Sequence, residues 1–165
     1  MTNALNAIDV MFRLNDVRTR FNHVETALAG FFPYPAAHDM VARLLTQAEE
    51  FGVAHVEKTL HDHPERFHLS PDEARSALPL IGELHGLTSE IDRLAAEHNR
   101  QMAASDPDRA PIYYVQNRPF SIDRDERQMT FVDTGERHPI EPPDDDETAQ
   151  ARRARRRVRQ LRRNR

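Results

Sequence analysis

Residues 70–102 constrain the fold of this chain more than any other stretch. They open with Ser70-Pro71-Asp72-Glu73, a hydroxyl that can cap a helix, a proline where the first helical residue has no use for its N–H, and a glutamate placed to reach back to the serine's N–H. Behind this start, Ala77, Leu80, Leu84, Leu87, Ile91, Leu94 and His98 recur at alternating spacings of three and four. That spacing lays them along one helical face, with Glu83, Glu90, Asp92, Arg93, Glu97 and Arg100 mostly off it. Pro79 removes one helical hydrogen bond and predicts either a kink or a division into a 71–77 turn and a 79–103 helix. Gly82 and Gly86, four apart, allow a second helix to approach closely.

A face this wide needs others to bury it, and the chain before it supplies them. Over 4–29, Ala7, Val10, Leu14, Val17, Phe21, Val24 and Leu28 hold a three-four spacing, and Leu5, Ile8, Met11 and Phe12 widen the first half. Gly30 and Pro33-Tyr34-Pro35 end that helix. A second helix over 36–51 carries Met40, Val41, Leu44, Leu45, Ala48 and Phe51 on one side. Gly52 then breaks the phase, because continuing the count would bury His55, Lys58 and Asp62, so a short separate helix over 53–61 is predicted. The expected fold is all-α: an N-terminal bundle of three to four helices with coiled-coil-like heptads in 1–104. Three long stripes in so few residues leave surplus apolar surface, and a homodimer is the expected oligomer.

Composition shifts after 104. Asp106-Pro107-Asp108-Arg109-Ala110-Pro111 reads as a linker, and the β-prone runs 112–115 and 128–132 suggest a small hairpin within 105–140, with 118–127 as its loop. Residues 141–165 form an acidic-then-basic tail. Five acids stand in 141–147, and nine arginines with no acid stand in 151–165. With those arginines set aside from the formal net charge of -4, the preceding 150 residues stand at -13. Arginine outnumbers lysine throughout, Lys58 being the sole lysine. The excess is therefore no signal in itself, but the clustering is.

Such a cluster calls for an anionic partner. Arg152, Arg153, Arg155, Arg156, Arg157, Arg159, Arg162 and Arg163 are the candidate nucleic-acid contacts, made through DNA or RNA phosphates. An acidic protein partner, or the chain's own acidic surface, is the rival. A membrane partner is not expected, because the tail's apolar line is only Ala151, Ala154, Val158 and Leu161. Tyr113, Tyr114, Phe120 and Phe131 interleave with Arg118, Arg124 and Arg127 as in base-stacking surfaces, but acids stand among them and packing onto the helices is the expected use of the rings.

Charged residues make up 30% of the chain and mean hydropathy is -0.76, which leaves material for only a modest core before 104. The absence of cysteine excludes disulfides, thiol catalysis and Cys-type zinc sites. Five glycines, none in a phosphate-cradling motif, argue against a nucleotide loop. Neither an 18-residue apolar run nor a basic-then-apolar leader is present, and a cytoplasmic location is expected.

Nine histidines raise the question of metal. His61 and His63 would point about 200 degrees apart on a helix and cannot share an ion easily. His38, His61-Asp62 and a later aspartate such as Asp92 superficially resemble the metal set of HD-type phosphohydrolases. That resemblance implies a helical metal-dependent hydrolase, but it rests on two residue types at loose spacing. His98, on the long stripe, is expected to be a satisfied polar group of the seam. No cofactor or metal is expected. The expected role is that of a non-enzymatic nucleic-acid-associated accessory protein, the alternative being an assembly or adaptor subunit acting through its helical faces.

Overall fold

A computed structural model describes residues 6–123 and 127–140. The described residues are mostly helical: α1 (Ala7–Ala29), α2 (Ala37–Phe51), α3 (Val53–Asp62), a single 3-10 turn (Pro64–Phe67) and α4 (Pro71–Ser105). A four-stranded antiparallel meander follows, β1 (Ile112–Val115), β2 (Arg118–Asp123), β3 (Gln128–Phe131) and β4 (Arg137–Pro139), in sheet order β1-β2-β3-β4.

Both halves of the predicted capping box form at the start of α4. The Glu73 N–H donates to Ser70 Oγ at 3.2 Å, and the Ser70 N–H donates to Glu73 Oε2 at 2.7 Å. From there α4 runs 35 residues without division, Pro79 included. The proline forgoes one ladder hydrogen bond, and the face buried on either side of it (Ala77 and Ile81, both 0% exposed) holds the helix together across the gap. α1 lies antiparallel along α4. Arg13 meets Glu90 at 3.2 Å and Arg20 Nε meets Glu83 at 2.7 Å, one moving down α1 as the other moves up α4.

Val10, Leu14, Phe21, Val24 and Leu28 of α1 share one core with Val41, Leu44, Leu45 and Ala48 of α2, Val56 and Leu60 of α3, and the buried face of α4. That face is wider than the sequence stripe. Ala74, Ile81, Thr88 and Ala95 are buried beside Ala77, Leu84, Ile91 and Leu94, while Leu80 and Leu87 are only partly covered. The Thr88 hydroxyl is accommodated because it donates to the Leu84 carbonyl one turn back, at 3.0 Å.

Gly52 acts as the phase analysis predicts. Its φ of +93° is a conformation glycine adopts without steric penalty, and α3 restarts the count so that Val56 and Leu60 are buried and Lys58 and Asp62 face out. Gly82 and Gly86 do not serve a close approach. A Cβ on Gly82 would meet only a Glu57 side-chain oxygen at 3.6 Å, and one on Gly86 would meet nothing within 4 Å. Ile8, Met11 and Phe12 do not widen the buried face of α1 either. They stand 61%, 43% and 62% exposed on the outer side of the helix, opposite Val10 and Leu14.

The hairpin expected between 112–115 and 128–132 is corrected by β2, which occupies most of the segment read as its loop. β1 pairs with β2 (Tyr113 with Phe120, Val115 with Arg118), and β3 pairs with β2 on its other side (Phe120 with Phe131, Ile122 with Met129). A proline argues against a strand paired on both sides. Pro119 fits because its carbonyl accepts from the Val132 N–H at 3.0 Å and its missing N–H leaves no donor unmatched. The charged tail, with all its candidate arginines, lies outside the described residues.

Candidate nucleic-acid interface

The sheet meets the helices along β1 and through the two-residue turn Gln116-Asn117. Gln116 has φ +58° and the turn joins β1 directly to β2, which drives both amide side chains toward the helices. Asn117 Oδ1 accepts from Arg18 Nε at 2.8 Å, and its Nδ2 donates to Asn22 Oδ1 at 2.8 Å and to the Arg18 carbonyl at 3.3 Å. Gln116 Nε2 donates to the Ala42 carbonyl of α2 at 3.2 Å. The Arg18 guanidinium also lies 4.9 Å from the centre of the Tyr114 ring, which packs on the helical core. Farther along β1, Asn99 of α4 exchanges two hydrogen bonds with the Ile112 backbone, at 2.8 and 3.0 Å. We expect Asn117→Ala to loosen this attachment by about 1–3 kcal/mol, since it leaves Arg18 and Asn22 short of partners. Amide exchange should then rise across β1–β3 while α1 and α4 stay protected; uniform loss of protection would contradict this.

One face of the sheet carries a ring from each strand. Tyr113 and Phe120 lie 5.7 Å apart, Phe120 and Phe131 6.4 Å, and Phe131 and His138 5.6 Å, tilted or edge-on to one another. Arg118 covers Phe131 at 3.5 Å from its centre and is itself paired with Asp133 and Glu136 at 3.3 Å. The rings therefore pack mainly against each other and against Arg118, as cross-strand pairs of a thin sheet do.

The histidines do not converge. Among the described residues, no three of His, Asp and Glu form a set able to hold a metal ion. His38 pairs with Glu25 at 3.3 Å, and His61 pairs with its neighbour Asp62 at 3.1 Å. Lys58 donates to Asp62 at 2.6 Å, and that bond, followed by the one from His61, pulls the Asp62 carboxyl down to about 2. Asp92 instead sits over the α2–α4 seam beside Glu49. Partial burial raises both carboxyls, and for Glu49 the Asp92 charge adds to the rise while His85 opposes it. The resemblance to a hydrolase metal set thus finds no geometric counterpart. A cleft of about 300 Å³ between α3 and α4 is lined by His61, Pro71, Ala74, Arg75 and Leu78, but His61 is taken by Asp62 and Arg75 by Asp72.

His98 departs from the expectation of a satisfied seam residue. Its Nδ1 is enclosed with no hydrogen-bond partner, beside a cavity of about 10 Å³ shared with Asn99, Met102 and Arg109, room for roughly one water. Burial, and then the charge of Arg109, lower its pKa. The fold thus favours neutral imidazole, and this contribution is complete above the unfolded pKa, about 6.5, and is lost as pH falls below it. Thermal melts at pH 7.5 and pH 5 should show a smaller acid-induced loss for His98→Leu than for the parent chain. An equal loss in both would exclude His98 as a source of acid sensitivity.

No family model, curated protein or solved structure matches this chain.

Proposed function

We propose that this protein is a non-enzymatic nucleic-acid-associated accessory protein whose helical core serves dimerisation or docking and whose arginine-rich tail contacts phosphates. The observation that carries this reading is the run of nine arginines without an acid in 151–165, on a chain otherwise at -13. An overall negative body would repel a polyanion, so binding is assigned to the one segment of opposite sign. Arginine suits the task because its planar guanidinium forms paired hydrogen bonds with phosphate and stays charged at every relevant pH. Among the described residues, the fully buried side chains are aliphatic and aromatic apart from Thr88. The test compares the full chain with a 1–148 truncation for binding to unrelated duplex DNA and RNA. Tail-dependent binding to both supports the reading, and equal binding by the two forms overturns it.

The adaptor reading is favoured by a different observation, the apolar side chains that α1 exposes. A stable oligomer that binds no nucleic acid in either form would select it.

A further inference from the structure

Hydrogen bonds tie the sheet to the helices at two places, and one of them lies beside a histidine. At the Gln116-Asn117 turn the partners are Arg18, Asn22 and the Ala42 carbonyl. At the other place, Asn99 of α4 donates to the Ile112 carbonyl at 2.8 Å and accepts from the Ile112 N–H at 3.0 Å. The chain between α4 and Ile112 forms a strap over 106–111. Its start is fixed by the Asp106 N–H, which donates to the Met102 carbonyl at 2.8 Å, and its end by the Asn99 clamp. Between those points its bonds are its own: the Arg109 N–H donates to the Asp106 carbonyl at 3.2 Å and the Asp108 N–H to Asp106 Oδ1 at 3.3 Å. Pro107 and Pro111 have no N–H to give.

His98 precedes the clamp residue. Its enclosed Nδ1 lies by the small cavity that Asn99 and Met102 line from the helix and Arg109, Ala110 and Pro111 line from the strap. Neutral imidazole tolerates this enclosure, since one of its nitrogens carries no proton. Imidazolium carries an N–H at both, and room for about one water does not replace its hydration. The surrounding charges offer no rescue. Arg109 is the charged side chain that lines the cavity, and it repels. Asp106 and Asp108, at the strap's start, are exposed and off the lining, and Glu97 of α4 is paired with Arg100. The first turn of α1 runs alongside this end of α4, but its Asp9 is exposed and off the lining too.

We propose that residues 106–111 are an acid-released strap: protonation of His98 lifts them from α4, opens the Asn99–Ile112 clamp and leaves the sheet held at the Gln116-Asn117 turn. The strap is the wall that moves, because α4 is anchored in the core through Ile91 and Leu94 whereas Arg109 and Ala110 are exposed. Each opening takes up one proton. The opening equilibrium is therefore flat above about pH 6.5 and rises as pH falls, by at most about tenfold per unit, until His98 is protonated in the closed form as well. The lowered proton affinity of the enclosed ring has the sign this requires. The inference does not rest on nucleic-acid binding by the tail.

Residue-resolved amide exchange of the full chain by NMR, from pH 7.5 to pH 5 and corrected for intrinsic rates, reads the opening. The Ile112 N–H is the reporter. It should exchange about 100-fold or more faster than the core amide of Leu84, as a local opening does, and its protection should fall by about tenfold across the range. His98→Leu should make Ile112 protection independent of pH, and Arg109→Gln, which removes the repelling charge, should shrink the fall to a few-fold. No fall in the parent chain, a fall that persists in His98→Leu, or Ile112 protection equal to that of Leu84 overturns the proposal. Should His98→Leu fail to fold, the ring titration of His98 in the parent chain decides: a midpoint below about 6.5 that the Ile112 change follows supports the strap, and a midpoint at or above it overturns the strap.

Discussion

Between about 50 and 200 mM salt, the full chain is expected to lose roughly 10³–10⁵-fold in affinity for an unrelated DNA duplex, while the 1–148 form shows no comparable binding to lose. The expectation rests on counterion release. Each phosphate neutralised by an arginine frees a condensed cation, giving a log–log slope near -0.9 per contact on duplex DNA. If about six of the nine tail arginines engage, the slope is near -5, and on single strands the smaller per-contact value brings it closer to -4. Replacing Arg155, Arg156 and Arg157 by Gln should therefore lower the slope by about 2–3 and weaken all sequences alike, since contacts of this kind read charge and not bases. Fluorescence anisotropy across a salt series measures both numbers. A slope that the 1–148 form shares would place the contact on the folded body instead.

The second large effect concerns the core. Leu84→Ala should destabilise the chain by about 2–5 kcal/mol, lowering the thermal midpoint by roughly 10 °C. Leu84 is 0% exposed and sits on the face of α4 that packs along α1. Its removal costs the transfer free energy of the lost carbons and leaves a space that two long helices, held along their length by the shared core, cannot easily close. The exposed Arg13–Glu90 and Arg20–Glu83 ion pairs are themselves worth little. Removing Glu83 by Glu83→Gln should change stability by well under 1 kcal/mol, and urea denaturation of the two variants side by side gives the contrast. Equal effects would mean that α1 is held to α4 by charge and not by the shared core.

How much of this is legible in the residues depends on whether the signal is local. The capping box is legible because all its atoms lie within four positions, and Ser70 and Glu73 form both bonds. The break at Gly52 is legible because the phase of the apolar residues changes there. The extra width of the α4 face is not, since Ala74, Thr88 and Ala95 do not stand out as apolar and only the neighbouring helices decide that they are buried. β2 is hidden by its proline and its arginine, which make sense only once β3 and the Asp133–Glu136 pair are in place. Asn117 gives no signal at all: its partners, Arg18 and Asn22, lie almost a hundred positions away. The exposed half of α1 is misread for a related reason. Periodicity shows that Ile8 and Phe12 belong to a face, but not whether that face looks into this chain or out of it.

The attachment of the sheet also governs how a load would travel. Anything that grips the chain beyond Ile140 tugs on β4, the strand farthest from the helices, and the first bond in line is the one from the Ile140 N–H to the Arg127 carbonyl, at 2.8 Å. Bonds loaded in that direction break in succession, so β4 should peel away, and then β3, before the strain reaches Asn117. Two strands of slack are thus released before any load reaches the helical body.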